Sequence, residues 1–121
     1  MIVAGFGFRG GVDPAALAAV LRIAQCGLPP VGALATASDK AITLAPLAEV
    51  LGLPLIAVAP DRLEAMTTAT CSAASLRARR TGSVAEAAAL AAAGPGATLI
   101  LTRILSPDRM ATCALAEGSC P

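Results

Sequence analysis

Hydrophobic residues fall into short runs divided by glycine, proline and polar punctuation, and the period within each run identifies the element it forms. Ile2–Phe8 is almost wholly apolar; it begins as a short buried strand and passes into a glycine-rich turn, Gly5 to Gly11. Asp13-Pro14 then opens a helix, Asp13 suiting the N-cap and Pro14 the first helical position. Leu17, Val20, Leu21 and Ala24 recur at helical spacing, and Gly27 with Pro29-Pro30 stops the run. Val31 to Thr36 predicts a second strand, and Ser38-Asp39-Lys40 the loop after it. Thr43 to Leu51 predicts a helix with Pro46 in its first turn, where a missing N–H costs little. Gly52 and Pro54 separate it from Leu55 to Ala59, a strand apolar on both faces, as parallel pairing in a covered sheet requires.

The second half continues the alternation. Pro60 to Met66 reads as a brief helix, Thr67 to Ser72 as a polar loop and Ser72 to Arg80 as another short helix. Ser83-Val84-Ala85-Glu86 has the form of a capping box, in which hydroxyl and carboxylate each satisfy the other residue's backbone N–H. The alanine-rich helix it opens runs to Ala93 and stops at Gly94-Pro95-Gly96. Ala97 to Ile104 is a strand, Ser106-Pro107-Asp108 a turn, and Met110 to Ala116 the closing strand. That link is far shorter than the roughly dozen residues of a parallel crossover, so the last two strands form an antiparallel hairpin. There are no repeats or domain-scale linkers, and 121 residues fit one domain spanning 1–121. The expected fold is α/β: three layers, α/β/α, around a mixed, mostly parallel sheet of about five strands with a C-terminal antiparallel hairpin.

Composition narrows the chemistry. Apolar residues make up 56% and charged residues 14%, but aromatics are two Phe with no Tyr or Trp, so the core rests on Leu, Ile, Val and Ala. A net charge of +1 gives no electrostatic basis for nucleic-acid or anionic-membrane partners, and base stacking lacks its aromatics. Mean hydropathy is +0.75. The most apolar stretch, Leu44 to Ala59, is nevertheless broken by Pro46, Glu49, Gly52 and Pro54, so no membrane span is expected. Met1 to Phe8 has no basic leader region, so no signal peptide is expected and the cytoplasm is the expected location. Cys26, Cys71, Cys113 and Cys120 show no CxxC spacing and are read as buried free thiols, with a Cys113–Cys120 bridge as the alternative. Histidine is absent, which excludes Ser-His-Asp and Cys-His catalysis and histidine metal ligation. No metal and no cofactor are expected.

Four groups remain as candidates. Gly5-Phe6-Gly7-Phe8-Arg9-Gly10-Gly11 lies between a strand and a helix start, where backbone amides and the Arg9 fork suit an anion, although the spacing is not a dinucleotide fingerprint. The alternative is a sharp turn that needs glycine. Thr36 to Lys40 follows the second strand, where open α/β sheets bind ligands, and Lys40 is the only lysine. Arg77, Arg79 and Arg80 form a cluster that suits either a polycarboxylate or a solvated helix face. Arg103 is a charge late in an apolar strand and requires an exposed tip or a partner. Glu86 is better accounted for by capping than by catalysis.

The segments GFGFRGG, ALATASDK, VLGLPLIAV, GSVAEAAAL and TRILSPDRMATCALA follow one another in an order that resembles the CobE / CbiG C-terminal family of cobalamin biosynthesis. The resemblance covers nearly the whole chain, and SVAEAAAL and the ATxxxK pattern carry most of it. It implies a role in building the corrin ring. The free-standing CobE-like form is associated with the aerobic pathway; in CbiG proteins the domain is joined to an N-terminal region associated with lactone opening, not expected here. The family pattern falls on Gly5, Gly7 and Arg9, on Thr36 and Lys40, on Ser83 and Glu86, and on Arg103, where the family often has lysine; Phe8 of the first loop joins them. Thr43 stands where the family often has an acidic residue. These nine positions are the expected ligand-binding set, and the expected partner is a carboxylate-rich precorrin or corrinoid intermediate. Two further readings stay open: an enzyme acting in lactone opening, and a module that docks on another pathway enzyme or on a second copy of itself.

Overall fold

The apolar runs resolve into five strands and four helices among the described residues of a computed structural model, which describes residues 1–66, 68 and 83–118. In chain order these are β1 (Ile2–Phe8), α1 (Pro14–Gln25), β2 (Ala33–Ala37), a 3-10 turn (Ser38–Lys40), α2 (Ala41–Leu51), β3 (Leu55–Val58), α3 (Pro60–Ala65), α4 (Val84–Ala93), β4 (Thr98–Leu105) and β5 (Ala111–Glu117). The sheet order is β3-β2-β1-β5-β4. β1, β2 and β3 are parallel, and β5 runs antiparallel to both β1 and β4. One face packs Phe6, Leu34 and Leu115 against Leu17 and Val20 of α1 and Leu44 of α2. The other packs Val3, Ala35 and Val58 against Leu63 of α3 and Ala87, Ala88 and Ala91 of α4. This is the expected three-layer fold with its C-terminal hairpin.

Several local expectations are corrected. The chain does not turn at Gly5: β1 stays extended through Phe8, and Gly5 pairs with Ala35 on one side and Ala114 on the other. Gly5 is there to admit a helix, and Gly7 to make room for a side chain of the neighbouring strand. A Cβ at Gly5 would fall on the Ala85 carbonyl oxygen and 2.5 Å from the Ala89 nitrogen, and one at Gly7 would lie 2.9 Å from the Thr112 hydroxyl. Glycine within a strand marks such an approach of a second backbone. α2 begins at Ala41, directly from the 3-10 turn, so Pro46 sits inside the helix and not in its first turn. Its missing N–H leaves the Ile42 carbonyl unserved within the helix, on a side where both residues are exposed and solvent can reach. β3 pairs parallel with β2 as expected, but it is an edge strand, with Ala57 exposed and Leu55 and Ile56 half-buried. Cys113 is a buried free thiol, its ionisation pushed up by desolvation, whereas Cys26 is exposed. The predicted loop Thr67–Ser72, the helix Ser72–Arg80, the cluster Arg77, Arg79 and Arg80, and Cys71 and Cys120 lie outside the described residues, apart from half-buried Thr68.

β4 carries an irregularity that matters below. From Thr98↔Glu117 to Leu105↔Thr112 it advances seven positions while β5 advances five, with breaks between Leu99 and Leu101 and between Leu101 and Ile104. These are bulges, which re-aim side chains and take backbone groups out of the ladder. Accordingly Leu101 and Ile104, three apart, pack on the same core.

Candidate ligand-binding rim

The parallel strands end together, and the antiparallel pair supplies its turn to the same end. Phe8 is opposite Ala111, and Leu105 is opposite Thr112. The carboxyl end of the sheet therefore gathers the loop after β1, the 3-10 turn after β2, and the β4–β5 turn. α4 runs back from this end: Val84 and Ala85 lie over Gly7, Ala89 lies over Gly5, and Ala93 lies beside Gly118.

Of the nine predicted positions, most come to this end but do different things. Phe8 is half-buried, and the Lys40 Nζ lies 5.8 Å from its ring centroid, so the first and second loops meet in a cation–π contact. Arg9 is exposed; its backbone N–H donates to the Met110 carbonyl at 3.1 Å, which ties the β1 loop to the β4–β5 turn. Arg103 is half-buried on the last part of β4. Among the described residues, the side chains of Arg9, Lys40 and Arg103 make no hydrogen bond or ion pair.

The remaining positions are structural in this fold. The Thr36 hydroxyl is fully buried and donates to the Phe6 carbonyl at 2.9 Å. Gly5 is enclosed between two strands and α4. Ser83 caps α4, its Oγ accepting the Glu86 N–H at 3.3 Å. Glu86 is fully buried, and its Oε2 accepts the Arg103 backbone N–H at 2.9 Å, the amide of the bulged stretch. The capping box is thus realised on its serine side, while that carboxylate oxygen fastens α4 to β4. The start of α1 is also self-satisfied, because Asp13 Oδ1 accepts the Ala15 N–H at 2.9 Å and occupies the place an anion would take. In the glycine loop, the Arg9 and Val12 N–H groups are likewise taken up within the chain, by the Met110 and Arg9 carbonyls.

The β4–β5 turn contributes residues that the sequence reading passed over. Ser106 is buried; its Oγ–H donates to Asp108 Oδ1 at 2.5 Å and accepts the Ala111 N–H at 3.1 Å. Asp108 Oδ1 also accepts the Met110 N–H at 3.0 Å, and these donors hold its carboxyl below the usual carboxylate range. Arg109 adopts a left-handed φ of 63°. In the sequence Ser106-Pro107-Asp108 reads as a plain proline turn, and nothing there marks the backbone conformation of Arg109.

A cleft of about 390 Å³ opens elsewhere, between Arg62 and Met66 near α3 and the Leu90–Ala97 end of α4. Arg62, the one charged group among the described residues that line it, donates to the Ala91 carbonyl at 2.7 Å. Among the described residues there is no cluster of three or more His, Cys, Asp or Glu to hold a metal, and no helix is long and apolar enough to cross a membrane.

Comparison with known proteins now places the chain. The family described as cobalamin synthesis G C-terminus matches residues 2–116. The crystal structure of CobE, a protein from the cobalamin (vitamin B12) biosynthetic pathway, aligns over 96% of this chain and 89% of its own, with 36% identity and a TM-score of 0.85. The cobalamin biosynthesis protein chiG from Agrobacterium tumefaciens aligns over 99% of this chain and 100% of its own, with 39% identity and a TM-score of 0.77. A search of curated protein sequences gave no match. The chain therefore belongs to the cobalamin synthesis G C-terminus family, to which GFGFRGG, ALATASDK and SVAEAAAL had already pointed.

Proposed function

We propose that the rim at the carboxyl end of the sheet binds a carboxylate-fringed precorrin or corrinoid intermediate of cobalamin synthesis. The observation that carries this reading is the pair Lys40 and Phe8: a half-buried ammonium with no ion pair among the described residues, set against an apolar ring, at the end of a sheet where such folds take ligands. A corrin macrocycle has an apolar face and a margin of carboxylates. Phe8 suits the former; Arg9, Lys40 and Arg103 suit the latter. From β2 to β4 the sheet spans three strand spacings of about 4.8 Å, a width that can engage more than one arm of such a molecule. Charge-assisted hydrogen bonds of this kind contribute about 1.5–3 kcal/mol each. Membership of a cobalamin-synthesis family supports the ligand class.

The reading as an enzyme in lactone opening has less support. Glu86, the carboxylate nearest the rim on α4, is buried and holds a backbone amide, and the chain has no histidine to serve as a base. The proposed setting is the cytoplasm, where the free thiol of Cys113 would stay reduced.

The test is an absorbance titration of the purified chain with cobyrinic acid and, separately, with its fully methyl-esterified form. The acid should bind and the ester should bind far more weakly. Lys40→Ala should weaken uptake of the acid by about ten- to hundredfold, the equivalent of one charge-assisted contact, with an unchanged circular dichroism spectrum. Failure of the unaltered chain to take up the acid would sink the reading.

A further inference from the structure

We propose that Arg109 is a ligand-contacting residue of this rim, held there by a turn that engages one oxygen of its own acid and leaves its base free. The inference rests on the rim reading above and deepens it by adding a cation that neither the sequence pattern nor the family pattern singled out.

Three observations converge. The first is conformational. Arg109, with φ at 63°, is the one non-glycine residue in the left-handed region among the described residues; Gly11, Gly27, Gly52, Gly94 and Gly96 hold the others. Its N–H donates to the Ser106 carbonyl at 2.9 Å, so it stands at the fourth position of a turn opened by Ser106, where glycine is favoured. A Cβ in this region crowds the following carbonyl, and glycine would remove that crowding. Residues kept in such conformations concentrate at functional sites, and reading from an observed outlier to a role is the sound direction.

The second is electrostatic. An arginine beside an aspartate would ordinarily find its partner locally. Here Asp108 Oδ1 is occupied by the Ser106 hydroxyl and the Met110 N–H. The Arg109 guanidinium makes no ion pair or hydrogen bond among the described residues and is exposed. The turn engages Oδ1 of its exposed carboxylate and leaves the guanidinium without a partner among the described residues.

The third is position. Met110, the residue after Arg109, accepts the Arg9 N–H at 3.1 Å. Two arginines from segments 100 residues apart in sequence thus flank a single hydrogen bond at the same sheet end as Lys40. A guanidinium fork grips carboxylates bidentately, and two such forks from separate loops suit a ligand carrying several.

The experiment separates an arginine kept for the fold from one kept for a ligand. Arg109→Gly and Arg109→Asn both suit the left-handed backbone and both remove the charge; Arg109→Lys keeps the charge. Each is titrated with cobyrinic acid and melted without ligand. The neutral variants should lose about tenfold or more in affinity with a melting temperature unchanged or a few degrees higher, and the lysine variant should fall between them and the parent. Neutral variants that take up the acid as tightly as the parent overturn the assignment of Arg109 and leave the rim reading standing. A parent chain that does not take up the acid overturns both.

Discussion

At Gly5 the missing side chain determines where a whole helix lies. The Cβ of any other residue would occupy the Ala85 carbonyl oxygen, which belongs to backbone and cannot swing aside. Gly5→Ala should therefore destabilise the chain by about 3 kcal/mol or more, at or beyond the upper end of ordinary overpacking, as read from urea denaturation. Gly7→Ala meets chiefly the Thr112 hydroxyl and the Val84 side chain and should cost less. The same two residues show where the sequence was ambiguous. A glycine-rich stretch ending a short strand has the composition of a phosphate-binding turn, and composition alone does not say whether glycine is needed for φ or for room. The distinguishing pattern was present at longer range: two glycines on one face of a strand, at positions i and i+2, in a chain whose later helix is nearly all alanine. Lys40 and Arg103 were legible because a cation next to an apolar strand is rare enough to require a reason. Arg109 was not, because a left-handed φ leaves no trace in residue type when the residue is not glycine.

Elements were legible where period and punctuation agreed. Asp13-Pro14 fixed the start of α1, and Ser83 that of α4, each with a side-chain oxygen on a backbone amide of the first turn. The hairpin followed from a link too short for a crossover. The start of α2 was misread because Pro46 was given the first-turn place that proline usually takes, whereas the 3-10 turn feeds the helix two residues earlier. The bulges in β4 left no pattern that period-two reading could detect, yet they give Glu86 its function in the fold. A buried side-chain oxygen accepting a backbone N–H at 2.9 Å fastens α4 to β4. Glu86→Gln keeps an acceptor there and should be tolerated better than Glu86→Ala, which strands a buried amide and opens a cavity. The alanine variant should lose about 2–4 kcal/mol in chemical denaturation, and the glutamine variant less than half of that.

For the whole molecule, the sheet divides structure from proposed function end to end. The carboxyl end gathers Phe8, Arg9, Lys40, Arg103 and Arg109; the open cleft beside Arg62 and Leu90–Ala97 lies between α3 and the C-terminal end of α4. Uptake of cobyrinic acid should slow amide exchange at 8–12, 38–40 and 103–110, and leave 90–97 unchanged; protection centred on the cleft would move the site there. The pairing of α4 with the sheet has a mechanical consequence as well. Alanines laid on glycines make a smooth contact, lacking the large side chains that interlock one helix with its bed and stop it sliding along its own axis. Among the described residues, two polar pins tie α4 to its neighbours along its axis: Glu86 on the Arg103 amide and Arg62 on the Ala91 carbonyl. Because Glu86 near the head of that helix holds the Arg103 amide, any slip of α4 along the sheet would carry over to one of the rim's cations.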